Sequence, residues 1–293
     1  MASSLMRRFK RAVLSLSLIA LAACGQSAEQ QPAAPAVQLY AMDCGRATFS
    51  DVGMFADDGS MNGQSRTLVV PCYLIRHPSG DLIWDTGFPD AIAAMPGSRM
   101  TIPQMGAEVV LSATLQSQLQ QIGLTPADIE FVSFSHQHGD HTGNGNLFAG
   151  STWIVDADER AYMFSDEARQ GQAFPGYAQL ENAETRLIEG DGDHDVFGDG
   201  SVTVLNMPGH TPGHRTLLVR LTRTGPVMLT GDLYHFTENM RTGRMPIFNT
   251  DRADTLASMA RFQEIVRNLR ARIIIQHEPA DVRRLPAFPQ AAQ

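Results

Sequence analysis

After Lys10 the 293-residue sequence contains no lysine at all. Residues 1–23, a leader by their pattern, hold four of the 23 basic residues (Arg7, Arg8, Lys10 and Arg11) and none of the 31 acids. The remainder therefore carries 19 arginines and a formal balance of −12. So acidic a chain has no basic stripe with which to hold nucleic acid, and that class of partner is excluded. Cysteine is equally scarce, with three in all. Cys24, Cys44 and Cys72 form no Cys-x-x-Cys pattern, which argues against a thiolate metal site or a thiol redox centre. Spacing alone does not decide whether Cys44 and Cys72 pair in an oxidising compartment. Long apolar runs are missing too: Ala12 to Ala23, only 12 residues, is too short to cross a bilayer comfortably as a helix. No internal repeat is visible, and the length is ample for one large domain.

The basic residues 7–11 and the apolar segment that follows have the order of a secretory signal. That segment ends Leu21-Ala22-Ala23-Cys24-Gly25, which resembles a bacterial lipoprotein box. The resemblance implies cleavage before Cys24, lipidation of that cysteine, and a protein anchored to a membrane rather than spanning it. The alternative is an ordinary signal peptide cut at nearby small residues. It is less favoured, because a small-small-Cys ending directly on the apolar segment is rarely accidental. Gln26 to Ala36, built of Gln, Ala, Pro, Ser and Glu, reads as a flexible tether. Residue 25 is Gly rather than Asp, so the inner-membrane retention signal is missing. The expected location is the periplasmic face of the outer membrane of a Gram-negative bacterium. The expected organisation is signal 1–23, tether 24–36 and one folded domain 37–293.

Within that domain Thr67–Ile75 and Asp81–Trp84, separated by His77-Pro78-Ser79-Gly80, predict a hairpin. Ser112–Ile122 predicts an amphipathic helix stopped by Gly123, and Phe131–Ser135 a buried strand. Trp153–Val155 predicts another strand, with an acidic helix start at Asp156–Glu159. Val202–Asn206, Thr216–Leu221 and Pro226–Thr230 predict three more strands. Asp251–Leu269 predicts the longest helix, with Leu256, Met259, Phe262, Ile265, Val266 and Leu269 on its apolar side, and Arg272–Gln276 a last strand.

Directly after the Phe131–Ser135 strand stands His136-Gln137-His138-Gly139-Asp140-His141. Further on come His210 in Pro-Gly-His-Thr-Pro-Gly-His, Asp232 in Thr-Gly-Asp, and His277 in Gln-His-Glu. Neutral imidazole and carboxylate are the ligands of catalytic zinc. In a loosely turning loop, residues i and i+2 point the same way, so His136 and His138 can share one ion, while Asp140 and His141 serve a second. His210 would complete the first position and His277 the second, with Asp232 bridging both. Two zinc ions roughly 3.5–4 Å apart hold a hydroxide and lower its pKa toward neutrality. Iron, manganese or cobalt suit the same donors.

The His-x-His-x-Asp-His run, followed in order by His210, Asp232 and His277, resembles the signature of the metallo-β-lactamase fold superfamily. Asp85-Thr86-Gly87 resembles its early Asp-Thr-Gly motif. The resemblance runs from about residue 67 to the C-terminus. It implies an α/β fold, a four-layer αββα sandwich with the metals at one edge, and a hydrolase. It also implies that Asp85 lies behind the metals and orients a ligand histidine. Five of nine histidines falling into this order by chance, as ordinary core residues, is a far weaker reading.

Asp232 separates the chain from the antibiotic-destroying β-lactamases of the superfamily. The stretches around Tyr234, His235, Glu238 and Asn239, and around His277 to Asp281, resemble the N-acyl-homoserine lactonase branch. The implied substrate is a small lactone or ester carrying an acyl chain. Met54, Phe55 and Met61, and Ile92, Met95, Met100, Ile102 and Met105, lie in two loops that suit such a chain. Ordinary core filling is an equally good account of these residues. The branch commonly has Tyr three positions after the bridging Asp. Here that position is His235, with Tyr234 one place earlier, and either can donate to the substrate carbonyl. Asp140 is expected to carry a proton to the departing ring oxygen. His214 is placed to buttress the His210 loop, and His77 and His194 read as surface-loop residues. The rivals are another periplasmic ester or organophosphate hydrolase or a promiscuous β-lactamase of the same fold and, in a different class, a lipoprotein that binds metal or signal without turnover. A homodimer is compatible with the sequence.

Overall fold

The structure, a computed structural model, describes residues 37–293. The expected signal, tether and lipid anchor at Cys24 lie outside the described residues. Among the described residues, thirteen strands form two sheets. The larger contains β1 (Gln38–Phe49), β2 (Arg66–His77), β3 (Gly80–Trp84), β4 (Arg99–Ile102), β5 (Ala107–Val110), β6 (Phe131–Ser133), β7 (Thr152–Asp156) and β8 (Thr185–Ile188), in the spatial order β4-β5-β1-β2-β3-β6-β7-β8. The smaller contains β9 (His194–Asp195), β10 (Val202–Asn206), β11 (Arg215–Leu221), β12 (Gly225–Leu229) and β13 (Arg272–Ile274), ordered β13-β12-β11-β10-β9.

Alternating side chains build the layers. In β2, Leu68, Val70, Cys72 and Leu74 face one apolar cluster, while Tyr73 and Ile75 face another. The first cluster is closed by α1 (Leu115–Gln121) through Leu115 and Leu119. The second lies between the sheets, where Leu39, Trp84 and Ile154 meet Val204, Leu217, Val219 and Val227. On the far face of the smaller sheet, Leu218 and Met228 pack with Met259 and Phe262 of the long helix, Arg252–Leu269. Three apolar layers thus separate helix, sheet, sheet and helix, the expected αββα sandwich.

The predicted hairpin is β2–β3, antiparallel with Tyr73 opposite Trp84. The predicted helix at 112–122 is shorter, because the Thr114 hydroxyl accepts from Ser117 N at 3.0 Å and fixes the start there. Leu256, expected on the apolar side of the long helix, is 38% exposed. Cys44 and Cys72 are joined as a disulfide. β3, β6 and β7 run parallel, as do β12 and β13. The chain therefore leaves β3, β6, β12 and β13 beside one another at matching ends of the two sheets, where open α/β folds assemble sites.

Candidate metal centre and its cavity

Each of the seven residues marked by the sequence follows the end of a strand. His136 comes three residues after β6, and His138 caps the short helix α2 (Gly139–Thr142), which carries Asp140 and His141. His210 follows β10, and its loop is docked on the start of the long helix. Gly209 has φ of +126°, a Cβ there would strike Thr255 N, and Asp251 N donates to Gly209 O at 2.9 Å. Asp232 lies in the turn after β12, and His277 follows β13.

These side chains converge in two groups. His136 Nε2, His138 Nδ1 and His210 Nε2 lie 2.8–3.2 Å from one another. Asp140 Oδ2 lies 3.8 Å from His141 Nε2 and 3.6 Å from His277 Nε2. Asp232 stands between: its Oδ2 is 3.6 Å from His136 and 3.4 Å from His210, its Oδ1 is 3.3 Å from His141 and 2.9 Å from His277.

The backs of the rings explain this aim. His277 Nδ1 faces Val69 O at 2.9 Å, and a carbonyl only accepts, so the proton sits on Nδ1 and the Nε2 lone pair faces inward. Asn249 Oδ1 does the same for His210 Nδ1 at 2.8 Å. Asp85 Oδ2 takes His141 Nδ1 at 3.0 Å; the carboxylate is itself held by Ser135 N at 2.7 Å and Gln276 Nε2 at 3.2 Å. That is the position the Asp-Thr-Gly resemblance implied for Asp85.

Burial pushes the His136 imidazole well below its usual range, and burial with the neighbouring His210 takes His138 down to about 3. At His141 burial also opposes the charge, but Asp232, Asp85 and Asp140 outweigh it and the value is raised. Asp232 is held low by His235, His277 and His141 against its own burial. Among the described residues, His141 Nε2 and Asp232 Oδ1 are buried with no hydrogen-bond partner. Converging lone pairs and orphaned donor atoms, all imidazole nitrogen or carboxylate oxygen, fit a divalent metal.

The group opens into a cavity of about 760 Å3, within the range of small-molecule sites. Asp140, Asp232, His235 and His277 line its floor, and Phe49, Leu68, Val70, Phe88, Leu147 and Phe248 much of its wall. Of the two methionine-bearing loops, Met54, Phe55, Met100, Ile102 and Met105 line this cavity. Met61 and Ile92 are buried in the core instead, and Met95 is exposed.

Tyr234 requires a correction. Its backbone is extended (φ −140°, ψ 131°), so it and His235 point to opposite sides. Its hydroxyl lies 3.4 Å from Met259 O and 3.3 Å from Gln263 Nε2, in the apolar layer between the smaller sheet and the long helix, away from the cavity. His235 is the residue at the site, with Nε2 3.0 Å from Asp232 Oδ2. His214 does more than buttress a loop: its Nδ1 donates to Met207 O at 2.9 Å and its Nε2 accepts the Asp232 N–H at 3.0 Å. His77 and His194, expected in surface loops, stand in β2 and β9. Sequence reasoning did not find Ser135, Glu159, Asn249 or Gln276. Glu159, buried in the helix Ala157–Met163, accepts from Gln137 N at 2.8 Å and Gly213 N at 3.0 Å and so joins the two ligand loops.

The four-layer frame and this donor cluster at the strand ends are those of a metal-dependent hydrolase of the metallo-β-lactamase superfamily. The chain belongs to that superfamily, which it matches over residues 66–277. Within it, the chain is 31% identical over 232 residues to the N-acyl homoserine lactonase AttM of Azorhizobium caulinodans, covering 74% of this chain and 85% of that protein. It is 28% identical over 265 residues to an N-acyl homoserine lactonase of a Bacillus species, covering 86% and 98%. Among solved structures, an N-acyl homoserine lactone hydrolase with the product N-hexanoyl-L-homoserine bound at its catalytic metal centre superposes with a TM-score of 0.71 at 26% identity. That likeness covers 87% of this chain and 99% of the other.

Proposed function

We propose that this protein opens the lactone ring of N-acyl homoserine lactones, using two zinc ions. His136, His138 and His210 would hold one ion and Asp140, His141 and His277 the other, with Asp232 shared between them. The observation that carries the reading is the Asp232 carboxylate, whose two oxygens face two separate groups of donors at the floor of a largely apolar cavity. When bound, a metal pair supplies a water acidic enough to attack at neutral pH and polarises the carbonyl under attack.

The chain's own residues supply the rest. The apolar wall, Phe49, Leu68, Val70 and Leu147 among it, excludes water from the acyl chain and directs the ring to the floor. Asp140 lines the cavity with its side chain 26% exposed, and is the carboxylate that can deliver a proton to the ring oxygen as the C–O bond breaks. His235 lines the cavity with its Nε2 3.0 Å from Asp232 Oδ2; turned from that carboxylate, its N–H would donate to the substrate carbonyl as Tyr does elsewhere in the branch. The Leu-Ala-Ala-Cys ending extends the proposal to a lipid-anchored enzyme at the periplasmic face of the outer membrane.

The test is turnover by the zinc-loaded protein on acyl-homoserine lactones of several chain lengths, beside paraoxon, phenyl acetate and a carbapenem. Lactone opening with the highest kcat/KM of the panel is expected. Hydrolysis of another member without lactone opening would replace this substrate assignment, and two bound metals without any turnover would favour a binding protein.

A further inference from the structure

The turn that carries Asp85 is clamped from two sides. On one side it holds the ligand helix α2: Thr86 N donates to His141 O at 2.6 Å, Gly143 N donates to Gly87 O at 2.9 Å, and Asn144 Nδ2 donates to Thr86 O and Phe88 O, each at 2.8 Å. On the other side lies the Cys44–Cys72 disulfide, which links β1 to β2 and has 1% and 0% exposure. The contact is so close that a Cβ on Gly87 would collide with Cys44 Cβ and come within 2.9 Å of Cys72 Sγ. Phe88 N also donates to Cys44 O at 3.3 Å. Gly87 has φ 68°, which glycine adopts freely, whereas Asp85 has φ 56°, uncommon for a residue with a side chain and kept in place by its surroundings.

We propose that the Cys44–Cys72 disulfide is a positioning group for the second metal position. It holds the Asp85-Thr86-Gly87 turn at the level from which Asp85 aims His141 Nε2 at its metal. Reduction turns a bond into a van der Waals contact, so the two sulfurs must separate. Gly87 occupies the space above them, and the turn shifts. Asp85 and the α2 carbonyl of His141 shift with it. The first position is coupled less directly: Asp85 reaches His136 only through Ser135, whose Oγ lies 3.1 Å from Asp85 Oδ2 and 3.0 Å from His136 Nδ1, and the His210 ring is backed by Asn249 Oδ1 from a separate segment. The disulfide therefore acts more strongly on the second metal position, which Asp85 contacts directly, than on the first. This inference rests on the two-metal reading above.

The experiment compares oxidised wild-type protein, wild-type protein reduced and freed of reductant, and the double variant C44A/C72A. Each is loaded with zinc and mixed with a chromogenic chelator, and the thermal midpoint of each metal-free form is measured alongside. The oxidised protein is expected to release two zinc ions in separate phases. In the other two forms one phase speeds up at least tenfold while the other stays within about twofold. Unchanged release from folded protein, even with a lower thermal midpoint, reduces the disulfide to a structural staple and overturns the proposal. Equal acceleration of both phases overturns it as well. Where the double variant does not fold, the reduced wild type decides, and a reduced protein that also unfolds assigns the disulfide to global stability instead. Failure of the oxidised wild type to bind two metals would fall on the two-metal reading itself.

Discussion

Replacing Glu159 by Gln tests how the two ligand-bearing loops are joined. Glu159 is 3% exposed; one of its carboxylate oxygens accepts from Gln137 N, the other from Gly213 N. Burial, with some help from Asp156, pushes its carboxyl from the usual 4.5 up to about 7, against the hydrogen bonds from Thr211, Gly213 and Gln137. A folded pKa raised above the unfolded one means that the folded state binds the proton more tightly. The group's contribution is then fully present below pH 4.5 and is lost as pH rises through 7. At about 1.4 kcal/mol per pKa unit, the loss is about 3 kcal/mol. The Glu159→Gln side chain is neutral throughout, so the variant lacks this slope, though it sets an amide NH2 against one backbone N–H at a constant cost of about 1–3 kcal/mol. Metal-free wild type and variant, melted in parallel from about pH 4.5 to 8, should therefore diverge in a definite direction. The wild type loses stability relative to the variant by about 3 kcal/mol, on the order of 6–12 °C for a domain of this size. Parallel curves, or divergence of the opposite sign, would refute the buried, proton-binding carboxyl.

Three further tests address the site itself. Asp232→Asn replaces one oxygen of the shared carboxylate by a donor, and zinc content by elemental analysis should fall from two per chain to one or fewer; unchanged content would remove the bridging role. Tyr234→Phe should leave lactone kcat/KM within about twofold, because its hydroxyl points at Met259 O, whereas His235→Ala should lower it by about 10²-fold, the size of a lost transition-state donor. Equal effects of the two would contradict the assignment. Leu147→Trp fills part of the apolar wall and should raise KM for a decanoyl lactone far more than for a butanoyl one, since each displaced methylene forfeits about 0.8 kcal/mol; a uniform rise across chain lengths would place the acyl chain elsewhere.

The donors were legible because metal chemistry restricts their type and packs four of them into six positions, His136 to His141. What holds them was not. His277 is aimed by a backbone carbonyl at Val69, a contact with no residue-type signature. Asn249 and Glu159 reach the site from segments remote in sequence, and an Asn before a helix or a Glu in a first turn is ordinary. Two supports left a trace: Asp85 in its Asp-Thr-Gly motif, and His214 in the doubled Pro-Gly-His of 208–214, whose use as an acceptor for Asp232 N depends on the Gly231 turn. The choice between Tyr234 and His235 was open because neighbours on an extended backbone face opposite sides, and which one faces the cavity depends on where the preceding turn ends.

The same limit hid β1, and with it the disulfide. Its register against β2 shifts between Asp43 and Arg46, so the period-2 alternation that reveals strands is broken mid-strand. Met42, not Cys44, stands opposite Cys72, and it is the irregularity just beyond that brings Cys44 alongside. A regular strand would have been easier to read, but its next residues would have continued the alternation past Cys72. The break that obscures the element is what lets it support the Asp85 turn from beneath. In this chain the first layer of the site follows from what a metal demands of side chains. The second follows from where the backbone departs from regularity, which no residue type announces.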